Sequence, residues 1–279
     1  MQKDLSIVNS FGLRTTRNSN HHNKNDDYIC DEFKIAHVAS KNQIKFVQSL
    51  HRKKYRQRYS QFIVEGEKSV NEVLNSSWRI DSIFATEQWL YNQDITPNIQ
   101  QVICSQTDLE RMAFFKSASP VLAVVNLPDN VLYKPEENWT LLLDGIADPG
   151  NLGTIIRIAD WYGIKQVICS PNTVDVYNPK CISSTMGSFV RVEVLYTELD
   201  PIIRQTKHPV LFTLMHGADV RTQHLSSGLI VIGSEANGIS QSLLELPHTA
   251  ITRPKKGNAE SLNAAVATGI ICERLIPQL

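Results

Sequence analysis

The chain has 279 residues, 28 basic and 28 acidic, with no formal net charge, 42% hydrophobic and 20% charged residues. That balance suits a folded globular protein with room for two domains and excludes a charged, disordered chain. It contains no apolar run near the roughly 20 residues of a membrane-spanning helix, and any nucleic-acid surface has to be a local patch.

Residues 1–35 are polar and biased ("RNSNHHNKNDD"), so a weakly ordered extension is expected there. Its start, "MQKDLSIVNSFGLRTT", lacks the apolar core of a signal peptide, which points to a cytoplasmic protein. Residues 36–130 read as a small α/β domain. Ile44, Val47 and Leu50 recur at helical spacing, and "QFIVEG" is a strand running into the helix "EKSVNEVLNSS". "IDSIFAT", "QQVICS" and "VLAVVNLP" supply further strands. Residues 131–138, inside "PDNVLYKPEENW", form the linker.

Residues 139–279 change pattern. "TLLLDG", "QVICS", "VRVEVLY", "PVLFTLM" and "LIVIGS" are continuous apolar runs, each followed by a polar loop and a helix. Continuous apolarity marks strands covered on both faces, hence a mostly parallel sheet, and such sheets bind ligands at the carboxyl ends of their strands. The five cysteines (30, 104, 169, 181 and 272) form no CxxC pair, and the eight histidines no ligand spacing. Reduced packing thiols are expected, with no metal site and no membrane association.

Three polar clusters follow strand ends. In "DGIADPGNLGTIIRIADWYG", Ile155, Ile158, Ala159 and Tyr162 share a helix face read as buried. Gly150, Gly153 and Arg157 lie roughly opposite. Helical side chains lean toward the N-terminus, so Arg157 is expected above a pocket that Gly153 leaves clear; a capped helix with a solvated arginine is the alternative. In "LIVIGSEANGIS" the strand ends at Gly233, Glu235 follows, Asn237-Gly238 signals a turn, and Ser240 is a candidate cap. In "RPKKGNAESLNAAVATGII" a sharp turn leads to a small-residue helix with Ser261 as candidate cap, suited to packing against another helix or a second subunit. The glycines fit neither GxGxxG nor the P-loop pattern.

Together, in this order, the clusters resemble the SpoU (TrmH) branch of the SPOUT RNA methyltransferases. Asn151, Gly153 and Arg157 match its first motif, Gly233-Ser234-Glu235 its second, and Pro254, Gly257 and Ser261-Leu262-Asn263 its third. The stretches "FIVEGEKSVNEVL" and "SPVLAVVNLP" resemble the family's ribosomal-protein-like substrate-binding domain. Ala236, Arg253 and Lys255 depart from the usual pattern. The resemblance implies a deep trefoil knot in residues 139–279, a homodimer with the active site at its interface, and S-adenosyl-L-methionine as cofactor without metal. It implies Arg157, Asn151, Glu235, Ser261 and Asn263 at the reacting centre, with cofactor contacts from Gly233, Arg253 and Leu262.

The implied reaction is methylation of a ribose 2′-hydroxyl of RNA. Ribosomal RNA is favoured by family habit, with transfer RNA as the alternative. From Lys41 to Arg58 there is no acidic residue, and Lys41, Lys45, Arg52, Lys53, Lys54, Arg56 and Arg58 accompany Tyr55 and Tyr59. Cations attract phosphate and aromatic rings stack on unpaired bases, so this is the expected RNA-binding segment, in the N-terminal domain. Two rivals are an RNA-binding protein of this fold without chemistry and a nucleotide-dependent oxidoreductase. The second lacks GxGxxG and an acidic residue closing its second strand.

Overall fold

The computed structural model describes residues 37–129, 132–133 and 138–276. The expected extension over 1–35, with His21, His22 and Cys30, and most of the 131–138 linker lie outside the described residues.

Five short strands make the N-terminal sheet: β1 (His37–Val38), β2 (Gln61–Glu65), β3 (Ile80–Ala85), β4 (Gln100–Ile103) and β5 (Val121–Asn126), in the order β1-β4-β3-β5-β2. β1, β4 and β3 run parallel, and β5 is antiparallel to both its neighbours. Helices α1 (Lys41–Ser49), α2 (Lys53–Tyr59), α3 (Glu67–Leu74), α4 (Glu87–Tyr91) and α5 (Gln106–Met112) surround it. A capping box of Ser40 and Gln43 starts α1, and its Ile44 and Val47 pack with Leu50, Leu109 and Met112 on one face of the sheet. Val70 and Val73 of α3 and Trp89 of α4 cover the other face. Both faces are therefore covered, as the runs "FIV" and "VLAVV" require.

The second sheet has six strands: β6 (Trp139–Asp144), β7 (Gln166–Cys169), β8 (Glu193–Tyr196), β9 (Val210–Asp219), β10 (Gly228–Gly233) and β11 (Thr249–Thr252). Their order is β11-β9-β10-β6-β7-β8, and every pairing is parallel. Helices α6 (Pro149–Trp161) and α10 (Ala264–Leu275) pack on one face, with α7 (Pro179–Thr185) beside α6. α8 (Leu199–Gln205) and α9 (Gln241–Leu244) cover the other. The chain moves outward from β6 through β7 to β8, then crosses back to β9, and β10 inserts beside β6. The order reverses between β6 and β10, where Asp144 and Gly233 lie directly opposite each other. In a parallel sheet the crevice beyond such a reversal is where ligands bind.

Most expected strands appear; "VRVEVLY" is only partly one. Its first residue, Val190, ends a 3-10 turn at Ser188–Val190, and β8 is a partly exposed edge strand rather than a doubly covered one. Cys104, Cys169, Cys181 and Cys272 are buried free thiols; burial pushes Cys104 and Cys272 up to about 12, as inert packing groups.

The two sheets share a packed junction. Phe62 of β2 contacts Tyr177 at 4.8 Å and Phe189 at 5.9 Å between ring centroids, and Ile182 of α7 joins the same cluster. Arg191 bridges Glu72 of α3 and Asp160 of α6. Arg56 of α2 binds Asp175, in the loop after β7.

Candidate active site

The carboxyl end of β6 starts the site. Asp144 is buried there, and its Oδ2 accepts the Ser240 N–H at 2.7 Å, tying the loop after β10 to the end of β6. After Gly145 the chain turns into α6, whose N-cap is Asp148. Its Oδ1 accepts the Asn151 N–H at 3.0 Å, and its Oδ2 holds Lys180 Nζ at 2.8 Å. The Lys180 contact holds the Asp148 carboxyl below its usual range. Pro149 sits in the first turn, where its missing N–H costs nothing. Asn151 thus projects from a fixed helix start.

The loop after β10 delivers the next group. Ser234 and Gly238 exchange backbone hydrogen bonds at 3.1 and 2.9 Å, closing a tight turn with Gly238 at φ +66°. A Cβ on Gly233 would lie 2.2 Å from the Gly238 carbonyl carbon, so only glycine permits the turn to fold over the strand end. Glu235 projects from this turn and accepts a short hydrogen bond from Asn151 Nδ2.

Asn263 completes the chain of contacts. It is the N-cap of α10, its Oδ1 accepting the N–H groups of Ala265 at 3.0 Å and Val266 at 3.3 Å. Its Nδ2 donates to Asn151 Oδ1 at 2.9 Å. The α10 amides fix the Asn263 amide, which fixes Asn151, whose own amide then donates to Glu235. Three residues from three segments, 112 positions apart at the extremes, form one directed line. Ser261, the expected cap, makes no such bond; it is exposed, and Asn263 holds the cap. Ser240 occupies the N-cap of α9 without a side-chain cap bond.

Arg157 stands apart from this line. It is exposed and lines a groove of about 550 Å³ between α6 and α10, with Ile158, Trp161, Tyr162, Gly269 and Ile270. Among the described residues no hydrogen bond or ion pair engages its guanidinium. The cleared pocket expected beneath it is absent. A Cβ on Gly153 would lie 2.4 Å from the Cys181 carbonyl oxygen and 2.6 Å from Ser184 Cβ, so this glycine admits α7, not a ligand. Gly269 is different: a Cβ there would meet only Ile158 Cδ1, at an ordinary 3.6 Å.

The three expected cofactor contacts lie at or beyond the carboxyl ends of parallel strands β10 and β11. Gly233 ends β10, Arg253 leaves β11, and Leu262 is 51% exposed just before α10. Residues 254–262 are exposed and, among the described residues, make no backbone–backbone hydrogen bond.

The expected RNA-binding segment is corrected at one residue. Arg52, Lys53, Lys54 and Arg58 are exposed, as are Lys41 and Lys45. Arg56 is 3% exposed, with Nη2 at 2.6 Å from Asp175 Oδ2 and Nη1 at 2.9 Å from the carbonyls of Leu50 and His51. Its Nε, Nη1 and Nη2 are all engaged inside the protein, so it is a strut and not a phosphate ligand. Tyr55 and Tyr59 stack on each other at 6.3 Å, and Tyr59 also meets Phe46 and Arg58. Asp144, Asp148 and Lys180 escaped the sequence reading; a carboxylate closing an apolar strand was the signal for Asp144.

Among known proteins, residues 138–273 match the SpoU rRNA Methylase family and residues 41–123 the MRM3-like substrate binding domain. The 23S rRNA (guanosine(2553)-2′-O)-methyltransferase RlmP of Bacillus subtilis is 30% identical over 85% of this chain and 97% of its own length. A solved TrmH-family protein from Porphyromonas gingivalis is 34% identical with a TM-score of 0.78, covering 85% of this chain and 98% of that one. The SpoU methyltransferase AviRb from Streptomyces viridochromogenes, solved with its cofactor S-adenosylmethionine, is 25% identical with a TM-score of 0.75, over 84% and 97% of the two chains.

Proposed function

This chain belongs to the SpoU rRNA methylase family, and on that premise we propose that it methylates a ribose 2′-hydroxyl of ribosomal RNA using S-adenosylmethionine. The observation that carries the reading is the directed line from the α10 amides through Asn263 and Asn151 to Glu235, at the strand-order reversal. Structural packing alone gives no reason to align two amides and a carboxylate on an exposed edge.

The cofactor, when bound, supplies a methyl group on a sulfonium, which is a good leaving group. The main chain at Gly233, Arg253 and Leu262 holds it. Asn151, Glu235, Ser261 and Asn263 shape the pocket in which the hydroxyl is oriented, since alignment is the largest demand of a displacement with so good a leaving group. The Arg157 guanidinium, with a pKa above about 12, is a poor base. Its role is to bind the phosphate next to the target ribose and steer the hydroxyl.

The α6–α10 groove supports a homodimer. Trp161, which lines the groove with Arg157, is 80% exposed, and Val266 on α10 is 52% exposed. A second copy seated there would cover these side chains and enclose Arg157. The insertion of β10 between β9 and β6, with α10 returning to pack on α6, supports a trefoil knot in residues 139–279. Residues 36–130 are read as the RNA-gripping domain, with Arg52, Lys53, Lys54 and Arg58 as phosphate contacts. A cytoplasmic location is part of the same reading.

Two measurements test this. Mapping 2′-O-methyl positions in ribosomal RNA from cells with and without the gene should reveal a lost site. Arg157→Ala should lower turnover about a hundredfold or more, while calorimetry finds S-adenosylmethionine binding unchanged. Near-normal turnover would remove Arg157 from the mechanism.

A further inference from the structure

Beside the basic α1–α2 corner lie two aromatic rings that the catalytic reading does not use. Phe114 is 43% exposed and Phe115 36%, in the loop between α5 and β5. Their rings meet edge to face at 5.2 Å, and Phe114 meets His51 edge to face at 5.5 Å. Exposed phenylalanine pairs cost solubility and are uncommon without a role.

This pair is held rigidly. The Glu65 carboxylate accepts the Phe114 N–H at 2.7 Å and is also bonded by the Phe115 N–H. His51 Nε2 donates to the Met112 carbonyl at 2.9 Å, joining the α1–α2 corner to the end of α5. Burial lowers the His51 pKa. The loop is thus fixed from both sides while its rings face solvent.

Its setting identifies the occupant. Arg52, Lys53 and Lys54 are exposed next to His51, and Lys116 is exposed next to Phe115. His51 also gives its carbonyl to Arg56, whose other side grips Asp175 in the loop after β7. That loop borders the active edge: Thr173 Oγ1 donates to the Leu143 carbonyl at 3.2 Å, and Asn172 underlies Gly145. Rings and cations therefore connect through a continuous set of contacts to the carboxyl end of β6, just before α6. Apolar rings flanked by cations match a single-stranded nucleic acid, whose bases stack while its phosphates pair.

We propose that Phe114 and Phe115 form a base-stacking platform that takes unpaired nucleotides of the RNA substrate, beside the phosphate-binding Arg52, Lys53, Lys54 and Lys116. This rests on the RNA methyltransferase reading. The platform holds RNA by its bases, in a way that salt weakens little, and the cations hold it by charge. Together they orient the strand toward the catalytic edge.

The full-length protein tests the proposal against two probes of equal length and charge, a short oligoadenylate and an abasic ribose–phosphate oligomer. The wild type should prefer the oligoadenylate. The double variant Phe114→Ala/Phe115→Ala should lose about tenfold or more in oligoadenylate affinity, with abasic affinity, salt dependence and S-adenosylmethionine binding kept. Phe114→Tyr/Phe115→Tyr should restore the preference. With ribosomal RNA, the alanine pair should raise KM with kcat less changed. Unaltered oligoadenylate affinity, or an equal loss for both probes, overturns the platform. So does a loss confined to binding of phosphatidylcholine vesicles, which would assign the rings to a membrane surface. Failure of the wild type to methylate any ribosomal RNA would instead overturn the methyltransferase reading, independently of how the rings behave.

Discussion

Asn263 performs two tasks with one amide: its oxygen caps α10 and its nitrogen orients Asn151. The tasks separate by substitution. Asn263→Asp keeps a good cap oxygen at a helix N-terminus and loses the donor, setting a carboxylate oxygen against Asn151 Oδ1. Stability in urea should change by less than about 1 kcal/mol, while kcat falls by at least about tenfold. A proportional loss of both would make Asn263 merely structural. The sequence placed Ser261 and Asn263 both within reach of a helix start, and both residue types cap well. Only the backbone path between them decides which one does. Gly153 gives the same lesson. Its spacing to Arg157 is plain in the sequence, but the α7 backbone that fills the space beside it is not adjacent in the chain.

Helix α2 shows how one element can carry cations with opposite duties. Lys53, Lys54 and Arg58 are exposed, while Arg56, between them in sequence, turns inward to Asp175. Arg56→Ala would leave Asp175 half-buried without its partner and the Leu50 and His51 carbonyls without donors. A loss of about 3–5 kcal/mol of unfolding free energy is expected, measurable by urea titration. Lys53→Glu/Lys54→Glu should leave the urea midpoint nearly unchanged. It should weaken RNA binding and flatten its salt dependence, because fewer counterions are released. Unchanged binding and salt slope would reject the α1–α2 corner as an RNA surface. The basic run was legible because an absence of acidic residues needs no structure to see. The inward turn of Arg56 was not, because Asp175 lies 119 residues away.

At the scale of the molecule, two sheets are joined by a shared core and by ion pairs at Arg56 and Arg191, which tie the basic corner to the domain that carries the proposed active site. The α6–α10 groove, with Trp161 at its rim, is an apolar surface left open. Trp161→Asp would place a charge in the centre of the proposed dimer contact. Sedimentation should then show a monomer, S-adenosylmethionine binding should weaken little, and methylation should fall with dimer content. A variant that remains a fully active dimer would move the interface elsewhere.

From the amino-acid sequence alone came the class of fold, the position of most strands along the chain, the family, and Asn151, Glu235 and Asn263 as candidate site residues. These depend on local periodicity, on caps and turns, and on short motifs, all written in consecutive residues. The tertiary structure alone decided which polar residues touch: that Asn151, Glu235 and Asn263 form one line, that Arg56 is a strut, that Gly153 seats a helix, and that Phe114 and Phe115 stand beside the cations. Each of these pairings joins positions far apart in the chain. Their proximity follows from strand order and helix packing, which satisfy the whole buried core at once and leave no trace in any single stretch.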